Sequence, residues 1–371
     1  MNIVCSHDEL KRTLQTVGRG LSPRSTVQIL AGVHMRAESA EHPVVLSATD
    51  MELSVRATLD AKVHSPGEIV LPGRLVTDLI GKSSNDEVTI EQRDGDTQVQ
   101  VKTGGAEASL STYTVQDFPR LPEFDEERAF GIEREGFLRT LEAVQRAASR
   151  DESRPVLTGV KIEIGPGRLT MAATDSYRMA VKHTTLSGGP PEEIEAIVPA
   201  RALTELARIA GDASDETIEM AVDANQVLFR SGGATLSARR IDGQFPNYRQ
   251  LLPDAFEHIV PVRREELRDV IARAELLAGR NSPIRLSFAP GELTVSARTQ
   301  DVGEFRESLP CDFRGDPLDI GFNPGFLRDG LECLKGAEQV NLKLITPLRP
   351  GLVTGDGDDF WYLVMPIRLS S

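Results

Sequence analysis

The side chains with the most chemical capacity in this 371-residue chain are few and scattered. Six histidines (His7, His34, His42, His64, His183, His258) fall at no HExxH or Cys-His spacing, so no metal site is expected. Cys5, Cys311 and Cys333 form an odd set with no CxxC pair, which argues against a disulfide framework and fits a reducing compartment. There is no GxxxxGK[ST], no GxGxxG after a strand and no GxSxG, so neither a phosphate-cradling loop nor a nucleophile elbow is expected, and no cofactor. What recurs is Thr-Asp after a short apolar run, at Asp50 and again at Asp175. A positioned carboxylate can act as a general acid or base, and a β-rich hydrolase using Asp50 or Asp175 is one reading. The other is that each aspartate accepts backbone hydrogen bonds in a tight turn. Repetition favours the turn, because active sites are rarely duplicated within a chain. Trp361, beside Tyr362, reads as a packing residue.

The elements that hold these residues repeat as well. LSATDMELSVRATL (from Leu46) matches MAATDSYRMAVKHTTL (from Met171), with Thr49 and Thr174 at 125 positions' separation. LTVSARTQDVGEFRESL (from Leu293) is a more degenerate third copy. GEIVLPGRLVTDLIGK, EAIVPARALTELARIAG and LDIGFNPGFLRDGLECLKG each predict a strand running into a short helix. Amphipathic stretches open the repeats, with apolar positions Leu10, Leu14, Val17; Phe137, Leu141, Val144; and Leu267, Ile271, Ala274 at helical spacing. Two-residue alternation predicts strands at 87–92, 97–102, 217–222 and 339–344, with turns at Asp94-Gly95, Gly104-Gly105 and Gly232-Gly233. The expectation is an α+β chain of three tandem homologous domains, 1–124, 125–254 and 255–371, each with two helices backed by antiparallel sheets.

Charge divides along the same lines. The chain carries a formal −14. The six predicted helices and their ends nevertheless hold 19 Lys/Arg against 13 Asp/Glu, leaving the remainder strongly acidic. Helices that share one phosphate-facing surface would explain this, since diffuse Lys/Arg contacts carry no sequence information and permit sliding. A solvated helix face is the plainer alternative. No apolar run approaches membrane-spanning length and MNIVCSHDEL is no secretory signal, so a soluble cytoplasmic protein is expected.

With ATDSYRMAV, VPARALTEL, DGQFPNYRQLLP and a terminal YLVMPIRL in this order, the whole chain resembles the bacterial DNA polymerase III β subunit, the β sliding clamp. The resemblance implies the DNA clamp fold. It also implies a head-to-tail homodimeric ring with twelve helices around duplex DNA, and a non-catalytic processivity role. The implied partners are double-stranded DNA without sequence preference, a second copy, the polymerase III α subunit, clamp-loader subunits and other proteins with clamp-binding motifs. Matching positions imply DNA-facing Arg24, Arg74 and Arg201; Arg146, Arg150 and Arg273 join them on predicted helices. The implied partner-peptide pocket comprises Arg154, Leu157, Thr174, Ser176, Tyr177, Arg178 and Met179, then Pro246, Gln250, Leu251, Leu348, Leu363, Val364, Met365, Pro366, Ile367, Arg368 and Leu369. The implied dimer seam comprises Ala108, Leu110, Leu276, Leu277, Glu304 and Glu307. The family's Gly-His is Ser176-Tyr177 here, its basic residue after Phe-Pro-x-Tyr is Gln250, and a seam aromatic is Ala108. A duplicated or variant clamp with altered partner or inhibitor binding is therefore the alternative reading.

Overall fold

The computed structural model describes residues 1–22, 25–84, 86–93, 95–279, 282–300, 302–357 and 359–369. Among them are six α-helices: α1 (His7–Val17), α2 (Gly73–Gly81), α3 (Arg134–Val144), α4 (Ala200–Gly211), α5 (Arg264–Leu277) and α6 (Pro324–Glu332). The predicted apolar stripes are the buried faces. Leu10, Leu14 and Val17 of α1, Phe137, Leu141 and Val144 of α3, and Leu267, Ile271 and Ala274 of α5 are all within 1% of full burial. Each large side chain so buried contributes about 1.5–3 kcal/mol relative to exposure. α6 starts where Asn323 caps it, its Oδ1 accepting from Phe326 N at 3.2 Å, with Pro324 at the first helical position. Gly330 lets α6 lie against Tyr362, since a Cβ there would meet the ring at 2.5 Å.

The alternating segments form strands Glu87–Glu91, Gln98–Thr103, Thr217–Val222 and Gln339–Leu344. Gly95, Gly104, Gly232 and Gly233 take positive φ at their turns; Asp94 lies outside the described residues. The chain separates into two compact units, Met1–Arg134 with Arg201–Arg240, and Glu135–Ala200 with Ile241–Ser371.

The first unit holds a five-stranded antiparallel sheet ending at the edge strand Ala106–Ser111. It also holds an eight-stranded sheet in which Leu53–Leu59 of the first repeat pairs with Ala234–Arg239 of the second. The second unit holds the corresponding eight-stranded sheet, in which Arg178–Thr185 of the second repeat pairs with Phe360–Val364 of the third. Its four-stranded sheet ends at the edge strand Gly303–Pro310. Trp361 packs at 7% exposure among Met179, Val181, Tyr248 and Leu363, a core position rather than a stacking platform.

Candidate functional site

The Thr-Asp motif builds the same turn twice. Thr49 Oγ1 donates to Leu53 O at 3.0 Å and accepts from Met51 N, while Asp50 Oδ1 accepts from Glu52 N at 3.0 Å and Leu53 N at 2.8 Å. Thr174 donates to Arg178 O at 2.7 Å and accepts from Ser176 N, while Asp175 Oδ1 accepts from Tyr177 N at 2.9 Å and Arg178 N at 3.0 Å. Both turns put a non-glycine residue at φ +79°, Met51 in one and Ser176 in the other. The carboxylates are structural acceptors, and the hydrolase reading is corrected on that ground: each Oδ1 is occupied by two backbone amides.

The remaining oxygen of each aspartate binds an arginine, and here the two turns differ. Asp50, 8% exposed, takes Arg201 Nη1 of α4 at 2.6 Å. Asp175 takes Arg178 Nε at 3.0 Å, and this guanidinium reaches onward. Its Nη1 donates to Asp329 Oδ2 of α6 at 2.5 Å and to Tyr362 Oη at 3.2 Å, its Nη2 donates to Arg146 O at 2.5 Å, and its plane lies 4.5 Å from the Phe326 ring. Burial alone would disfavour the charge, but Tyr362, Asp329 and Asp175 around it hold the guanidinium firmly protonated. Burial pushes the Tyr362 phenol well above its ordinary value, so it stays neutral and accepts the bond.

Beside this turn opens a groove of about 780 Å³. Met179 and Leu363, directly opposed across the paired strands and almost fully buried, form its base. Leu251, Leu348 and Met365, 48%, 62% and 40% exposed, stand on its rims. Thr174, Ser176, Arg178, Pro246 and Gln250 complete the expected members that line it. Leu252, Pro253, Ile345, Arg349 and Pro350 also line it and were not anticipated. The Leu-Pro step at 252–253 and the two prolines flanking Leu348-Arg349 were their only sequence signals.

Other expected pocket residues stand elsewhere. Val364 is fully buried, because strand alternation turns it away from Leu363 and Met365. Leu157 is in the core, and Arg154 donates to Ser176 Oγ at 3.0 Å from outside the lining. Tyr177 is 61% exposed, its carbonyl accepting from Met365 N at 2.8 Å. Ile367 N donates to Gly321 O at 2.8 Å and Leu369 packs on Gly321, so the terminal segment, Pro366 and exposed Arg368 included, leaves the groove for the strand Leu318–Phe322.

Of the arginines expected to face DNA, Arg24 lies outside the described residues. Arg74 is 85% exposed and 3.9 Å from Asp78, and Arg150 is exposed with no ion pair among the described residues. Arg146 stands 3.7 Å from Asp329. Arg273 makes a two-pronged pair with Glu307 at 2.7 and 2.9 Å, which places it beside an expected seam residue. Leu276 is 82% exposed, Leu277 and Ala108 are half-buried, Leu110 is buried, and Glu304 is exposed on the edge strand.

Three family models cover the chain in order: the N-terminal domain of the DNA polymerase III beta subunit over residues 1–122, its central domain over 131–247 and its C-terminal domain over 249–368. The chain belongs to the DNA polymerase III beta subunit family. The beta sliding clamp of Synechococcus elongatus is 34% identical over the full length of both chains, and that of Bacillus subtilis 28% over 99% of this chain and 100% of its own. Among solved structures, the Bacillus subtilis sliding clamp superimposes with a TM-score of 0.93 at 27% identity, covering both chains completely. A Pseudomonas aeruginosa sliding clamp bound to griselimycin does so with 0.90 at 28%, also over both whole chains. No described helix is long and apolar enough to cross a membrane.

Proposed function

We propose that this chain is a non-catalytic DNA sliding clamp: two copies close head-to-tail into a ring around duplex DNA and tether a replicative polymerase through the groove beside Ser176. One observation carries the ring. The strand that closes the second repeat pairs with the first repeat, and the strand that closes the third pairs with the second. Continuing that rule leaves one complementary pair of edges open, Ala106–Ser111 at one end of the series and Gly303–Pro310 at the other. Open edges recruit strands, and no strand pairs with the outer side of either one among the described residues. The same antiparallel pairing made twice between two copies satisfies both. Ala108 and Leu110 on one side then meet Leu276, Leu277, Glu304 and Glu307 on the other.

The boundaries that suit this reading are 1–124, 125–254 and 255–371, close to the family matches. Arg74, Arg146, Arg150 and Arg201 are assigned to the phosphate-facing surface. Arg273, neutralised by Glu307, belongs with the seam. A ring holds DNA by topology, so modest, partly neutralised positive charge serves sliding better than tight phosphate contacts. The α subunit of the polymerase, clamp-loader subunits and other motif-bearing proteins share the groove, whose aliphatic lining and methionines accommodate varied anchors. Light scattering on the full chain is the test: a mass twice 40.5 kDa is expected, and a monomer at micromolar concentration refutes the ring.

A further inference from the structure

We infer that Glu163 is a positioning residue for the groove, holding in place, from outside the lining, the short turn that forms one wall. This rests on the groove being the peptide site. The wall that carries Gln250 and Leu251 is the single 3-10 turn Tyr248–Leu251, which belongs to no sheet. A turn so short has little stability of its own, so its place is set by what it rests on. Tyr248, 2% exposed, is sunk among Ala172, Val181 and Trp361, its ring centre 6.1 Å from that of Trp361. Met179 and Leu363, the base of the groove, belong to the same cluster.

A phenol buried this deeply needs a partner for its hydroxyl. Tyr248 Oη donates to Glu163 Oε2, on the strand Gly159–Gly165, at 2.8 Å. Arg249 Nη2 donates to the same oxygen at 2.8 Å, and its guanidinium lies 4.9 Å from the Tyr248 ring. One carboxylate thus holds two consecutive residues of the turn. Its other oxygen accepts from Lys161 Nζ at 2.9 Å. Burial alone would raise the Glu163 carboxyl, but Lys161, Tyr248 and Arg249 hold it below the usual carboxylate range. Burial and the Glu163 carboxylate push the Tyr248 phenol up, so it keeps its proton and donates. The first repeat lacks both parts of this device. Thr170 opposes Glu163 as Val45, 125 positions earlier, opposes Arg36, so an arginine stands where Glu163 does. There one residue separates Pro119 from Leu121, where five separate Pro246 from Leu252. The carboxylate and the extra residues that build the wall occur together.

The test titrates a fluorescein-labelled peptide with Leu and Phe anchors into the full-length wild type, Glu163→Ala, Tyr248→Phe and the double variant. E163A is expected to weaken binding about ten-fold, as for a lost hydrogen bond to a charged group. Y248F, which removes one oxygen, should weaken it about three-fold, and the double variant no more than E163A alone. Trp361 emission of the peptide-free protein should move to longer wavelength in E163A, as the Tyr248 ring loosens beside it. Unchanged affinity in Y248F, an unmoved emission in E163A, or single losses that multiply in the double variant overturns the role of Glu163 while leaving the groove reading intact. Y248F keeps that outcome within reach should E163A not fold. Failure of the wild type to bind the peptide overturns the groove reading, and this inference with it.

Discussion

Removing the Arg178 guanidinium should release the turn of the second repeat from α6 of the third. The side chain is 11% exposed, and its carboxylate partners Asp175 and Asp329 are 15% and 23% exposed. Arg178→Met keeps the aliphatic stem but leaves two carboxylates and the Arg146 carbonyl short of a donor. Breaking a fully buried pair costs about 3–5 kcal/mol, and water reaching these partly open carboxylates reduces that to about 2–3 kcal/mol. Asp329→Asn keeps an acceptor and loses only the charge, at about 1–2 kcal/mol. The double variant should then cost less than the two singles together, with a coupling of about 1–2 kcal/mol. Trp361, the chain's one tryptophan, is buried beside Tyr362, so its fluorescence through a guanidinium titration reports on this unit. Single-variant effects that add within about 0.5 kcal/mol would show that Arg178 and Asp329 are neighbours without being partners.

Ser176→Gly should raise the melting temperature, because a left-handed residue other than glycine costs about 1–2 kcal/mol and glycine's extra freedom in the unfolded chain offsets part of that. The net gain expected by calorimetry is about 0.5 kcal/mol, and a fall would mean that the Arg154–Ser176 bond outweighs the strain. His34 is held below its ordinary value by burial, with Glu68 only partly opposing. A depressed histidine stabilises the fold fully above its unfolded value near 6.5, and that contribution is lost as pH falls from there through the folded value. His34→Leu should therefore flatten the loss of melting temperature between about pH 7 and 5, and an unchanged slope would clear His34 of this part.

The local grammar of the chain was legible because it is written in nearest neighbours. Helix stripes such as Leu10, Leu14 and Val17 need only a 3.6-residue period, and all three are buried as that period requires. The Asp50 and Asp175 turns need only a side chain that bonds amides two and three residues on, and both do so. Threefold repetition followed from the 125-residue spacing without any contact being known. The groove was legible only in part. The resemblance pointed to Leu348 but not to Ile345, Arg349 or Pro350 beside it, and it included Val364, which alternation buries on the opposite side.

Tertiary structure alone decided that Asp50 takes its cation from α4 and that Arg178 reaches beyond its own turn to Asp329. Arg201 reaches Asp50 from 151 positions away, and Asp329 meets Arg178 across the same distance. It also neutralised Arg273 with Glu307, so a charge that composition counted toward nucleic acid is spent within the chain. The reason is physical. Periodicity and turn chemistry act over a few residues, whereas ion partners, groove walls and open sheet edges arise where distant strands pair. In this chain those pairings cross from one repeat into the next.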